Sequence, residues 1–197
     1  MLPTLLADSA RRHGHLCPRQ VLGVRMGLAA GEWLGLAVPQ TDKRLFTFVE
    51  TDGCFADGIS VATGCWLGRR TLRLCDQGKV AATFVDTATG AAVRIAPHPA
   101  ARARAAAWVP DAPSRRHAQL LAYRQMPAVD LLCAARVTLT LDLAALISRP
   151  GLRVACTVCH EEILNAREVV REGRVFCRGC AGMAGYYIHA APKTGPG

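Results

Sequence analysis

The chain has 197 residues, of which 51% are hydrophobic and 20% charged, proportions that exclude a disordered protein and allow one sizeable core plus a small appended module. A formal charge of +9 permits attraction to phosphates and other anions, but the basic residues are spread along the chain and build no polybasic tail. Apolar runs such as Val129 to Ala135 are interrupted by charge well before membrane-spanning length, so no transmembrane helix is expected.

The first twelve residues place Arg11 and Arg12 after a short apolar patch, the reverse of a secretory signal, and point to the cytoplasm. A helix is predicted from about Thr4 to Arg12. A second follows Cys17, where Pro18 suits the first helical position, and runs to about Leu34 with apolar residues on most of its circumference, so much of it should be buried. Arg44 to Glu50 reads as a strand ending in the loop Thr51-Asp-Gly-Cys54, and a short helix is expected from about Asp57 to Thr63.

Thr71 to Cys75, Lys79 to Asp86 and Ala91 to Ile95 then look like a meander, with turns at Asp76-Gln-Gly78 and Thr87-Ala-Thr-Gly90. Ala96 to Pro113 reads as a loop or a weak helix, Ser114 to Gln125 as a better helix ended by Met126-Pro127, and Leu131 to Leu141 as a strand. Arg149-Pro-Gly151 marks a boundary between a core domain, residues 1–150, and a C-terminal module, residues 151–197. The pattern as a whole is α+β, with helices packed on a mainly antiparallel sheet.

Nine cysteines suggest that sulfur has work to do here. Cys156-Thr-Val-Cys159 and Cys177-Arg-Gly-Cys180 have the spacing of a structural zinc site: two thiolates three positions apart reach one tetrahedral ion from a tight turn, and a second such turn completes the shell. A haem-attachment signature, Cys156 to His160, a redox Cys-x-x-Cys pair and two disulfides compete for the same residues. Zinc is the stronger reading, because covalent haem and disulfides belong to exported proteins and a redox pair is expected beside a βαβ unit. Cys75 and Cys133 read as packing residues.

Upstream, His13-Gly-His15-Leu-Cys17-Pro18 puts two imidazoles and a thiol immediately before a helix, whose N-terminus favours a thiolate. Cys54 closes a strand at a glycine-punctuated junction, with Asp57 three positions on and Cys65 across a short helix. His13, His15, Cys17, Cys54 and Cys65 form a candidate core metal site. Alternatively, Cys17 is a nucleophile with His15 as base and Asp57 as orienting group.

These segments resemble the FmdE family, named from formylmethanofuran dehydrogenase: His13 to Pro18 followed by a glycine-rich helix, Val49 to Cys54 with Asp57-Gly-Ile59, Thr63 to Gly68, Gly78 to Phe84, and the terminal cysteine module. The sequence departs from the pattern at Arg19 and Phe55, both beside the candidate site. The resemblance implies an α+β core, a homodimer, a treble-clef-like zinc finger and a groove lined by His15, Cys17, Cys54 and Cys65 in which a second transition metal besides zinc would bind.

The expectation that follows is a metal-binding accessory protein acting beside a molybdenum- or tungsten-type oxidoreductase or in metal handling. The alternatives are a cysteine-dependent enzyme and a zinc-finger regulator of nucleic acid. Glu161, Glu162, Glu168 and Glu172 interleave with Arg167, Arg171, Arg174 and Arg178 and count against nucleic acid, leaving protein docking as the finger's expected use.

Overall fold

A computed structural model describes residues 1–146, 151–183 and 185. Contacts divide it into two units, Met1–Leu141 and Asp142–Gly197. The expected boundary residues Arg149 and Pro150 lie outside the described residues.

The first unit is α+β. Helix α1 (Leu2–His13) buries Leu5, Leu6 and Ser9, and Gly14 closes it in the left-handed conformation. Helix α2 (Pro18–Leu34) matches its predicted bounds because both ends are written in the chain, Pro18 at its first position and Gly35 in the left-handed conformation at its end. Its apolar residues face several partners, α1, α3 (Cys54–Thr63), α5 (Arg115–Gln125) and the sheet, with Trp33 left exposed. The Arg25 guanidinium donates to Tyr123 O at 2.8 Å and Met126 O at 2.7 Å, placing a cation on the carbonyl end of α5. Burial lowers the pKa of Arg25 despite the opposing effect of Glu32.

The sheet contains β1 (Leu45–Val49), β2 (Leu72–Leu74), β3 (Ala82–Asp86), β4 (Ala92–Pro97) and β5 (Leu132–Arg136) in the order β2-β1-β3-β4-β5. The expected meander is corrected here. Strand β2 pairs with β1 in parallel, and β3 lies on the other side of β1, so Asp76-Gln-Gly78 is a crossing over the end of β1 and not a hairpin turn. The reason is visible in the backbone: Glu50 O accepts the N–H groups of Gln77 (2.9 Å) and Lys79 (3.1 Å), which carries the chain past β1. The remaining pairs are antiparallel. Val49, Ala82 and Ile95 stand in register across three strands and join Met26, Phe55 and Ile59 in the core.

The turn between β3 and β4 falls where the sequence places it and is organised by Asp86. Its carboxylate accepts from Arg44 (3.0 and 3.1 Å), Ala88 N (3.0 Å) and Thr89 Oγ1 (3.0 Å). Chiefly through Arg44, this lowers the pKa of Asp86 to about 2. On the far side of the sheet edge, Ala96 to Pro113 contains a helix, α4 (Ala101–Trp108), anchored by the buried Ala101 and Ala105. The strand expected from Leu131 to Leu141 is shorter: Leu131 ends a turn of helix, α6 (Ala128–Leu131), that follows Pro127, and β5 stops at Arg136.

The second unit comprises α7 (Leu143–Leu146) and two antiparallel hairpins, β6 (Arg153–Ala155) with β7 (Glu162–Leu164) and β8 (Val169–Arg171) with β9 (Arg174–Phe176).

Candidate functional site

Two places gather the chemistry-bearing side chains. The first lies where α2 and α3 begin. Cys17 is the N-cap of α2, in extended conformation. Its N–H donates to Gln20 Oε1 at 2.7 Å, and Gln20 Nε2 donates at 3.0 Å to both Ser9 O and Ser9 Oγ on α1. Gln20 is fully buried, so this chain of bonds fixes the Cys17 backbone against α1. Cys17-Pro-Arg-Gln20 has the spacing of a capping box, a signal that a reading of the sequence for cysteines alone passes over.

Cys54 is the first residue of α3, three positions earlier than the expected helix start. Gly53, at φ 76° and ψ −155°, turns the chain sharply out of the loop after β1 and lets the helix begin at once. Helices α2 and α3 run parallel with their backbones in contact. A methyl group on Gly23 would stand 2.4 Å from Phe55 O, one on Gly58 would stand 2.4 Å from Gln20 O, and one on Gly27 would stand 2.6 Å from Ala62 Cβ. The two N-termini therefore lie at the same end, where Cys17 is near enough to Cys54 to perturb its thiol.

Cys17 is buried and Cys54 half-buried. Burial pushes the Cys54 thiol up and the adjoining Cys17 pushes it further, while Arg19 pulls the other way without cancelling them. Arg19 thus puts a positive charge next to the thiols, and Phe55 is fully buried beneath them as a core residue.

The histidines and Asp57 pair differently from the sequence-based expectation. Asp57 bonds His13, with Nδ1 to Oδ2 at 2.7 Å, and not His15. His15 is exposed, its ring centroid 4.9 Å from that of His13. The pairing follows from helix geometry: His13 ends α1, and Asp57 sits one turn into α3, on the stretch that packs beside it. Arg12 lies over the Trp66 ring at 4.2 Å.

Cys65 stands apart from the site. It follows the far end of α3, a ten-residue helix about 15 Å long. Its thiol donates to Leu45 O at 3.2 Å and accepts from Thr47 Oγ1 at 3.4 Å, both in β1. Burial pushes its pKa up. This is a satisfied core thiol.

The second place is the four-cysteine group. Cys156 and Cys159 follow β6, and Cys177 and Cys180 follow β9. Their ligand atoms all lie within 4.8 Å of one another, and among the described residues they form the one group of three or more metal-ligating side chains that does. A tetrahedral shell at Zn–S of about 2.3 Å places sulfurs about 3.8 Å apart. The Cys159 and Cys177 sulfurs are 3.9 Å apart, so the group fits such an ion. Cys177 N donates to Cys156 Sγ and Cys180 N to Cys177 Sγ, each at 3.3 Å. Burial would raise the Cys156 pKa, but the amides of Cys159, Cys177 and Val158 outweigh it and bring the value down to about 6. Burial and the three neighbouring thiols push Cys180 up to about 12. A divalent cation seated among the four sulfurs would favour the thiolate at each of them.

Fold and sites together define an α+β domain with a dithiol pocket at two convergent helix starts, joined in sequence to a module whose four cysteines can hold a metal. The family model described as FmdE, molybdenum formylmethanofuran dehydrogenase operon, matches residues 12–137, and the chain belongs to that family. Over 97 residues it is 40% identical to the "Probable S-adenosyl-L-methionine-binding protein" of Archaeoglobus fulgidus, a match covering 48% of this chain and 26% of that protein. The matched part is thus about a quarter of the relative's length. A solved structure of a tungsten formylmethanofuran dehydrogenase FmdE-like protein from Syntrophus aciditrophicus superposes with a TM-score of 0.59 at 19% identity, covering 94% of this chain and 95% of that one. The fold is shared along almost the whole length.

Proposed function

We propose that this protein is a metal-binding accessory protein: its four-cysteine module holds a structural zinc ion, and the dithiol pocket takes a second transition metal. The observation that carries the reading is the convergence of four cysteine sulfurs from two hairpins at tetrahedral spacing. In this reading Cys17 and Cys54 supply sulfur, and His13 and His15, four and two positions before Cys17, supply nitrogen. A mixed sulfur and nitrogen shell suits zinc, nickel or iron. Family membership supports an accessory role beside a molybdenum- or tungsten-type oxidoreductase or in metal handling, as a homodimer in the cytoplasm.

Metal analysis of the wild type and of the double variant Cys17→Ser/Cys54→Ser tests this. Two metals per chain falling to one in the variant support the pocket site; one metal in both removes it. Size-exclusion chromatography with light scattering tests the dimer. Equilibrium dialysis with S-adenosylmethionine tests the ligand that the Archaeoglobus fulgidus relative's name suggests.

One observation favours a second reading. The 2.7 Å contact between His13 and Asp57, one helical turn after Cys54, is the orienting arrangement a cysteine-dependent enzyme needs, with His13 in the role of base. That reading requires one thiol of the pair to be alkylated far faster than the others at neutral pH, and the rate to fall in Asp57→Asn.

A further inference from the structure

Five of the nine cysteines lie in the first unit, and the fold sorts them. Cys75 follows β2 and Cys133 lies in β5, at opposite edges of the sheet, four strand spacings or roughly 19 Å apart. Cys65 is held inside the core by Leu45 and Thr47. Cys17 and Cys54 are different: they stand at the starts of two parallel helices, near enough for Cys17 to perturb the Cys54 thiol, and neither helix can slide away, because the contacts of Gly23 with Phe55 and of Gly58 with Gln20 are backbone against backbone. One of the two, Cys54, is reachable from solvent, and the other is buried behind it. That is the arrangement of an attacking or attacked sulfur backed by a resolving one.

We propose that Cys17 and Cys54 form a reversible intramolecular disulfide, with a low-molecular-weight disulfide of the glutathione class as oxidant. In the first step one protein thiolate attacks the oxidant's S–S bond. A mixed disulfide forms, and the first small thiolate leaves and takes up the proton that the protein thiol gave. In the second step the other protein thiolate attacks the protein-side sulfur of the mixed disulfide. The Cys17–Cys54 bond forms, and the second small thiolate leaves with the second proton. Two protein thiols are oxidised, and one external disulfide is reduced to two thiols. Cys17 and Cys54 are also the sulfur donors of the pocket metal site, so where that reading holds, oxidation releases the metal and couples metal content to the thiol balance of the surroundings.

The test treats the whole, folded chain with glutathione disulfide, blocks the remaining thiols with N-ethylmaleimide and maps tryptic peptides. Cys17 falls in His13–Arg19, and Cys54 in Leu45–Arg69, where fragmentation tells it from Cys65. The expected result is one cross-linked pair joining Cys17 to Cys54, lost completely on adding dithiothreitol. In Cys17→Ser, Cys54 should instead keep a stable glutathione adduct that the wild type does not accumulate. Both cysteines blocked by N-ethylmaleimide, or glutathione adducts without the cross-link in wild type, would overturn the proposal. Should Cys17→Ser not fold, the wild-type map decides alone. Metal content of the same oxidised sample separates the two claims: a cross-link with an unchanged metal count keeps the disulfide and removes the pocket metal.

Discussion

The two sulfur sites are built by opposite means. In the four-cysteine module each half of the site is a local turn next to a three-residue strand, and the sulfurs need only two hairpins to converge. In the dithiol pocket each cysteine depends on a helix start, and the starts are held by a glycine seam and a buried glutamine. A small module with little core leans on its ligand for stability. A pocket within a large core leans on packing.

The largest effect should separate these two dependencies. Removing the metal with a chelator, or making Cys177→Ser, should unfold the second unit, since a structural zinc ion contributes on the order of 10 kcal/mol to such a module. Hydrogen exchange should then show loss of protection in Arg153–Phe176 and none in α2 or β1. Parallel loss in both units would break the comparison.

The next effect tests the pocket's reliance on packing. Gly58→Ala forces a methyl group against Gln20 O and should cost about 2 to 3 kcal/mol in chemical denaturation, as overpacking does. Gly68→Ala, with open space around it, should stay within about 0.5 kcal/mol of wild type. Equal effects would mean that the seam does not hold the helices.

The smallest effect concerns the sheet that supports the pocket. Asp86→Asn should cost about 1 to 2 kcal/mol near neutral pH, through loss of the charge-assisted bonds from Arg44. Because the folded pKa is depressed to about 2, this contribution is complete above the ordinary carboxylate range and lost as pH falls through about 2. Wild type and variant should therefore converge in stability toward that pH; a constant gap would refute the assignment.

What the sequence reveals follows the same division. The Cys-x-x-Cys pairs, the bounds of α2 and the Thr87 to Gly90 turn are legible because each depends on residues a few positions apart. The placement of β2 is not, because alternation specifies a strand and not its neighbour. Cys65 looks like a member of the pocket through proximity in sequence, yet α3 carries it to the opposite end and β1 supplies its hydrogen bonds. The choice of His13 over His15 by Asp57 depends on how α1 packs beside α3, which no local pattern encodes. Cys54 reads as a loop residue because Gly53 reads as a turn, although that glycine also serves to start a helix without delay.

The seam between α2 and α3 has a further consequence for how this domain can change over generations. With backbones touching at Gly23 and Gly58, the stretch from Cys54 to Gly58 is a gauge whose length matters more than its composition. Substitutions between those ends leave Cys54 facing Cys17, whereas one inserted residue turns it by about 100° around the helix axis and points it elsewhere.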